Sequence, residues 1–483
     1  MLEVKQAIAA NRFGLGARPG DAARIGSDPA GWLEQQITAP VSAISGRVNG
    51  SRPESAAVLE QVTELRLARQ ALQRRRADAP IEVGQDALRE YARFIGSSYQ
   101  TQAASGYVTA IASEQPFRER LVQFWENHFA VSADKQPVGA IAGLYRDEAI
   151  RPRITGNFRD LLTAAIQHPA MLLYLDNQTS IGPNSLLGSR ANRNSNRQTG
   201  LNENLAREIL ELHTLGVNGG YTQDDVIAFS KSLTGWSIGA QDGPGNARTS
   251  AIARRLGGSV DLGKPGEFAF RAPVHEPGSK TILGQRFREG GVDEAEAVLE
   301  YLAVQPATAR FLATKLARHF VADVPPPELV DRLATTYLDS DAELAPVYHE
   351  LINAAESWRE PLTKYKTPQD FLISTYRALD TTPRANNLAA LATQLGQRPM
   401  TPGSPAGWPD IADHWNGGDA LLKRIEWATT LGGSIGDRID AEPRLDEILG
   451  AVASNATRFG IRRAESGAQA LALLFSAPEF QRR

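Results

Sequence analysis

The segment from Leu201 to Ile238 constrains the fold most, because it holds two helical patterns separated by a glycine turn. In the first pattern the apolar residues fall within one narrow arc at 100° per residue. They are Leu201, Leu205, Ile209 and Leu212. Gly216 and the pair Gly219-Gly220 then indicate a helix stop and a turn. The segment therefore predicts a helical hairpin.

The second helical pattern begins at Thr222, three residues before Asp225. A threonine and an acidic residue at this spacing are typical of a capping box, which closes the first turn of a helix. The residues that follow at helical spacing predict the buried face of this helix. They are Val226, Phe229, Ser230 and Leu233.

The first helix also carries the densest group of polar residues, which are Asn202, Glu203, Asn204, Arg207, Glu208, Glu211 and His213. Arg207 stands four residues from both Glu203 and Glu211, so it can bridge two carboxylates. Such pairs are common on surfaces and contribute little, so a solvated face is one interpretation. The other is a functional site, because Glu208, Glu211 and His213 lie close to the apolar arc.

The composition excludes several classes of site and partner. The chain has no cysteine, which rules out disulfides, thiolate metal sites and a cysteine nucleophile. A net charge of −3 gives no reason to expect nucleic acid as a partner. No signal peptide and no run of about 18 apolar residues is visible, so we expect no membrane span. The location expected from sequence is cytoplasmic, or periplasmic or extracellular if a partner carries the protein or a leader was removed.

Three further segments carry candidate residues. His128 lies on the apolar face of a helix predicted over 115–132, where it is either a packed core residue or a ligand. Asp176 and Asn177 end a buried helical run, as a turn cap or as the edge of a site. His275 falls at the turn of a predicted β hairpin.

The order of elements predicts a mostly α-helical protein. We expect one multi-helical body over residues 1–483, with a small β hairpin or flap around 267–286. The predicted parts of this body are a long helical arm at 54–113, loop and flap insertions at 178–200 and 238–290, and a C-terminal helical subdomain at 360–483. The two insertions are expected to lie over the site.

Several motifs resemble a bacterial family known as domain of unknown function 1800. The motifs are NRFGLGARPG near the start, FWENHFAVS at 124–132, HPAMLLYLDN at 168–177, NENLAREILELHTLGVNGGYTQDDVIAFSKSLTGW at 202–236, HEPGSKTILG at 275–284, KLARHFVADVPP at 315–326 and GQRPMTPGSPAGWP at 396–409. The resemblance implies a protein that is often exported, encoded beside a sulfatase-like protein of a second family (domain of unknown function 1501). It implies no particular reaction.

The polar residues of these motifs are expected to converge on one pocket, and three chemistries are open. The first is a divalent metal held by His128, His213 and His275 with nearby carboxylates. The second is glycoside-type catalysis by paired acids, and its candidate residues are Glu208, Glu211, Asp176 and Arg207. The third is a buried polar network that holds the segments together and catalyses no reaction. Candidate substrate-binding residues are Asn177, Asn202, Asn204, Trp236 and Trp408.

These observations favour an enzyme that acts on an envelope or extracellular polymer, with carbohydrate as the first choice, through a His/Glu/Asp pocket. The reaction would be hydrolytic or metal-dependent. The alternative is a non-catalytic partner, or an assembly or export factor, for the sulfatase-like protein. An enzyme should show a concave pocket, whereas a partner module should show an exposed apolar patch.

Overall fold

The structure, a computed structural model, describes residues 1–40, 54–75, 81–194, 200–239, 263–383 and 385–483. Most of the described residues are helical, so the predicted mostly α class is confirmed. The α-helices of the described residues are α1 Val4–Ile8, α2 Asp21–Ile25, α3 Pro29–Thr38, α4 Ser55–Arg75, α5 Ile81–Ala112, α6 Pro116–His128, α7 Ala142–Tyr145, α8 Phe158–Gln167, α9 Pro169–Tyr174, α10 Leu186–Asn194, α11 Asn204–Glu208, α12 Gln223–Ser232, α13 Val292–Ala303, α14 Pro306–Phe320, α15 Pro327–Asp339, α16 Leu344–Asn353, α17 Pro368–Ala378, α18 Ala385–Gln394, α19 Gly418–Ile435, α20 Ala441–Ile448, α21 Asn455–Arg462 and α22 Gly467–Ser476.

Three short π-helical segments interrupt the regular helices. They are Ala9–Phe13, Arg146–Ile150 and Ile209–His213. Such segments are rare, and they frequently occur at functional sites. Two of the three bear on the candidate sites described below.

The described strands form two small antiparallel sheets. Strand β1, Trp236–Ile238, pairs with β2, Phe268–Phe270, and strand β3, Lys280–Ile282, forms a hairpin with β4, Gln285–Phe287. The predicted small β element is therefore confirmed, but it consists of two sheets because the segment after α12 supplies an additional strand.

The predicted helical hairpin is present, with one correction to its core stripe. The capping box at Thr222 is formed as predicted. Leu205 and Ile209 are fully buried, whereas Leu201 and Leu212 are partly exposed. Leu201 precedes α11, and the change from α to π after Glu208 adds residues to the turn. This rotates Leu212 off the apolar arc.

The predicted arm at 54–113 consists of two helices, α4 and α5, that pack together. Only part of it resembles a surface arm. Tyr99, Tyr107 and Ile111, in the second half of α5, are all buried in the main core. The arm therefore joins the body because aromatic and aliphatic residues recur along one face of α5.

The two predicted insertions are described only in part. The first contains helix α10, and the second contains β2 to β4, while residues 195–199 and 240–262 lie outside the described residues. Their placement over a site stays a prediction. No helix in the described ranges is long and apolar enough to cross a membrane.

The region 360–483 is tied to the rest of the body by buried charges. Asp370, at the start of α17, pairs with Arg120 of α6 at 3.1 Å. Arg483 is fully buried and its guanidinium donates to the carbonyl of His319 at 2.7 Å. These long-range pairs place helices from distant parts of the sequence around one cleft.

Candidate functional site

One face of helix α6 forms the floor of a deep cleft. Glu119, Gln123, Glu126 and Asn127 line the cleft, at positions i, i+4, i+7 and i+8 of the helix. The opposite face carries the core, where Trp125 is fully buried. Together with the solvent at its open mouth, the cleft has an empty volume of about 1070 Å³.

Distant segments supply the other walls. Helix α5 gives Tyr107, the π-helical segment after α7 gives Arg146, and α14 gives His319. The segment between α18 and α19 gives Trp408 and Asp410. The site therefore depends on contacts between residues that are up to about three hundred positions apart in sequence.

His319 and Asp410 form a dyad in the wall of the cleft. The Nδ1 of His319 lies 2.6 Å from Asp410 Oδ2. Burial lowers the pKa of His319 to about 4, so its imidazole is neutral at pH 7. In this state Nδ1–H donates to Asp410, and Nε2 keeps its lone pair. Nε2 is buried and has no hydrogen-bond partner among the described residues.

Two charged neighbours and one hydrogen bond keep Asp410 ionised. Lys364 and Arg483 each stand 3.3 Å from its carboxylate, and His319 is hydrogen-bonded to it. Burial alone would raise the pKa of Asp410, but these neighbours hold it well below its usual range. The carboxylate can therefore orient His319 without taking its proton.

Glu126 is shifted in the opposite direction. Burial raises the pKa of its carboxyl, and the guanidinium of Arg146, at 3.6 Å, only partly offsets this effect. Arg146 is also held by Asp147 at 3.1 Å. Burial thus favours the protonated form of Glu126, which is the form that a general acid needs.

The other lining residues include polar, aromatic and aliphatic side chains, and also the carboxyls of Glu119 and Asp370. Asn127 donates to the carbonyl of Trp408 at 2.9 Å and accepts from its amide at 2.7 Å, which fixes the tryptophan at the rim. Gln123 also faces the cleft. Among the described lining residues Arg146 is the one permanent cation, and it is already paired, so the cleft favours an uncharged polar ligand over an anion.

The predicted polar face of the central helix is formed, but it does not line this cleft. Arg207 lies 3.2 Å from Glu203 and 3.4 Å from Glu211, in the predicted bridge. Burial and, to a smaller extent, the charge of Glu211 raise the pKa of Glu208. Asp176 pairs with Lys135 at 2.5 Å, and its side chain is half exposed.

Two of the three predicted substrate-binding asparagines donate hydrogen bonds to backbone carbonyls. Asn177 is buried and donates to the carbonyls of Leu233 and Trp236 at 3.1 and 2.9 Å. Asn202 donates to the carbonyl of Leu175 at 2.8 Å, while Asn204 is exposed at the start of α11. Trp236 is fully buried.

The three predicted metal ligands do not come together as one set. The rings of His128 and His213 have centroids 5.9 Å apart. His275 instead contacts the carbonyl of Thr234 at 2.7 Å and Glu294 at 3.2 Å. Within the described ranges no group of three or more His, Cys, Asp or Glu side chains could hold a metal ion.

Sequence reasoning therefore missed most of this cleft. Among the predicted site residues Trp408 alone lines it. A usable signal was present, because Glu119, Gln123 and Glu126 repeat at helical spacing opposite the apolar face of residues 115–132. No local pattern links that face to His319 or Asp410.

Comparisons with known proteins give a family but no activity. A family model described as "Protein of unknown function (DUF1800)" matches residues 8–482. No curated protein and no solved structure matches the chain.

Proposed function

Because the chain belongs to the DUF1800 family, whose function is unknown, we propose a function from the chemistry of the cleft. The protein is an enzyme that hydrolyses an uncharged, hydroxyl-rich polymer, with a carbohydrate of the envelope or extracellular space as the first choice. Catalysis is by general acid and base, with both groups supplied by side chains of the cleft.

The observation that carries this proposal is the pair Glu126 and His319. Both line one cleft, and their surroundings shift their pKa values in opposite directions. Burial shifts Glu126 toward its protonated form and His319 toward its neutral form, which is the direction expected for an acid and a base.

The proposed reaction assigns one proton transfer to each group. Glu126 gives its proton to the leaving glycosidic oxygen as the bond from that oxygen to the anomeric carbon breaks. In this proposal a water enters beside the buried Nε2 of His319 and gives it a proton, and the oxygen of that water attacks the anomeric carbon. Asp410 is a positioning residue, because it fixes the tautomer and the orientation of His319. Solvent then carries the proton gained by His319 to Glu126, which restores both groups for the next cycle.

The polar side chains of the lining and its lack of a free cation support the choice of substrate. Gln123 offers an amide to sugar hydroxyls, and the ring of Trp408 lies at the rim, where a sugar face can stack. Arg146 is occupied by its own carboxylates, so an anionic polymer would find no free cation among the described lining residues.

The test is hydrolysis of a panel of neutral polysaccharides and oligosaccharides in ¹⁸O-labelled water, with products identified by mass spectrometry. Glu126→Gln and His319→Gln are each expected to lower the rate by about 10²- to 10⁴-fold. Glu211→Gln is the matched control, because it makes the same change outside the cleft. No cleavage across the panel, or a Glu126→Gln variant as active as the control, overturns the proposal.

A second candidate function has one observation in its favour. Leu421, Leu422 and Ile425 are exposed on one face of α19, and their side chains form an apolar strip. Such a strip is the feature expected of a non-catalytic partner, here of the sulfatase-like protein. Two results would support this function and not hydrolysis. The two proteins should sediment together and lose this association in Leu422→Asp, and the partner alone should be fully active.

A further inference from the structure

A series of buried ion pairs ends at Glu126 in the cleft. Its members, in order of contact, are Glu126, Arg146, Asp147, Arg151 and Glu119. The side chain of Glu126 is 24% exposed, whereas those of the other four members are at most 6% exposed. This ion-pair series therefore joins the interior to the carboxyl that the proposed hydrolysis uses as its acid, and the inference below rests on that proposed function.

Asp147 holds one whole edge of the Arg146 guanidinium. Nε and Nη2 of Arg146 donate to Oδ1 and Oδ2 of Asp147, both at 3.1 Å. Two parallel bonds of this kind are the strong form of an arginine–carboxylate pair. The contact with Glu126 is made by Nη1 instead, at 3.6 Å from Oε1, which is longer than an N–H···O hydrogen bond. Arg146 is thus hydrogen-bonded to Asp147 but acts on Glu126 through its charge alone.

Gly106 of helix α5 gives the guanidinium room to stand in this position. A Cβ added to Gly106 would overlap with Nη1 of Arg146. Any larger residue would therefore have to displace the atom that faces Glu126. Gly106 also lines the cleft, so the place of Arg146 in the wall is set from two sides, by α5 and by Asp147.

The π-helical segment Arg146–Ile150 brings a second arginine to Asp147. The backbone N–H of Arg151 donates to the carbonyl of Arg146 at 2.8 Å, which is the five-residue step of a π-turn. The side chain of Arg151 then donates from Nε to Asp147 Oδ1 at 3.0 Å, and it pairs with both oxygens of Glu119. Asp147 is thereby fixed between two guanidinium groups.

The charges of the ion-pair series balance when Glu126 holds a proton. The two arginines are matched by the carboxylates of Asp147 and Glu119, so ionised Glu126 adds an unmatched negative charge. Such a charge is costly in a buried group. Tyr107 of α5 and Tyr145 of α7 also face Glu126, and burial raises the pKa of both, so they supply no positive charge. The pKa of Glu126 is raised accordingly, by burial and further by the charges of Asp147 and Glu119.

We propose that Asp147 is a positioning residue that favours the protonated form of Glu126, because it occupies Arg146 and adds a negative charge beside it. Without this carboxylate, the freed edge of Arg146 would turn to Glu126 and hold it as a carboxylate. Asp147 is not among the described residues that line the cleft. Its effect on the reaction therefore passes through Arg146 and Glu126.

The test follows the protonation of Glu126 in the intact protein by infrared spectroscopy as the pH is varied. A carboxylic acid and a carboxylate absorb at different frequencies, and the difference from Glu126→Gln identifies the band of Glu126. Asp147→Asn should move the loss of the acid band to lower pH. Arg146→Gln, which removes the cation, should move it to higher pH. A merely structural role would move both variants in the same direction, because loosened packing would hydrate Glu126 in each.

Two further variants serve as controls. Asp147→Glu keeps the charge and should restore a titration close to that of the wild type. Asp341→Asn makes the change from aspartate to asparagine at an exposed ion pair and should leave the titration of Glu126 unchanged. Near-ultraviolet circular dichroism establishes that each variant is folded.

The proposal is overturned if Asp147→Asn leaves the titration of Glu126 unchanged or moves it to higher pH. An unchanged titration in Arg146→Gln overturns it as well, so the test does not depend on the folding of Asp147→Asn.

The hydrolysis assay separates this inference from the proposed function. If a neutral polysaccharide is cleaved, Asp147→Asn should lower kcat at pH 7 by up to about 10²-fold with KM unchanged, the lower end for loss of a general acid. If none is cleaved, the proposed function fails, whereas the infrared titration still decides whether Asp147 controls the proton of Glu126.

Discussion

Replacing Asp370 with asparagine should destabilise the protein strongly, because two arginines share its buried carboxylate. Arg120 Nη1 stands 3.1 Å from one oxygen and Arg483 Nε stands 3.0 Å from the other, and none of the three side chains is more than 6% exposed. Asparagine keeps the shape but removes the charge. Breaking a buried ion pair from one side costs about 3–5 kcal/mol. We expect about 3 kcal/mol, because Asp410 remains to compensate Arg483.

The assay is urea denaturation at pH 7, with Asp341→Asn as the matched control. Asp341 also pairs with one arginine, Arg159, at 2.5 Å, but its side chain is 77% exposed. Exposed ion pairs are screened by solvent and contribute little to stability. The change from aspartate to asparagine should therefore lower the free energy of unfolding at least twice as much at Asp370 as at Asp341.

The pH dependence gives a second measurement. Burial would raise the pKa of Asp370, but the charges of Arg120 and Arg483 outweigh burial and hold this pKa well below its usual range. The stability that Asp370 supplies is present above the unfolded pKa of about 3.9 and is lost as the pH falls through the folded value. The difference in free energy of unfolding between the wild type and Asp370→Asn should stay constant from about pH 8 to 5 and shrink below about pH 4. Equal costs at Asp370 and Asp341, or a difference that does not change at low pH, would refute the reasoning.

Three further predictions concern the fold and the cleft. Gly216→Ala should lower the free energy of unfolding, measured in urea, by at least about 1 kcal/mol more than Gly220→Ala does. Both glycines have φ near +85°, but only at Gly216 would the new Cβ lie 2.9 Å from a phenylalanine ring. Equal unfolding midpoints of the two variants would contradict this prediction. Tyr348→Phe removes the hydroxyl that accepts from Trp125 Nε1 at 2.7 Å, so the free energy of unfolding should fall by about 1–3 kcal/mol. Between about pH 6.5 and 4 stability should decrease as the pH falls, since His319 is protonated in the unfolded state but has a pKa of about 4 when folded. His319→Gln should flatten that part of the profile, and an unchanged slope would show that other groups cause it.

Local patterns predicted the elements well. The capping box at Thr222, the turn at Gly216 and the arginine bridge at Arg207 depend on residues within four or five positions of one another, and all three are formed. Interactions of this range are set by helix geometry alone. The position of Leu212 was not predictable in this way, because a π-turn leaves no distinct apolar repeat.

The candidate site was predicted much less well, and the reason is visible in its residues. Reasoning from one sequence selected the motif with the most polar residues, around Glu208 and Glu211, which forms the bridged face outside the cleft. The cleft instead combines Glu126 with His319 and Asp410, each of which is unremarkable in its own segment.

The sequence by itself determined the family, the mostly helical class and the ends of the central helices, because these depend on residue types and on short-range spacing. Only the tertiary structure decided which polar side chains share a cleft and which are buried against aromatic rings. Burial acts over the whole packed body. It makes His319 and His213 neutral and favours the protonated form of Glu126, and no local pattern encodes how much of a side chain the rest of the fold will cover.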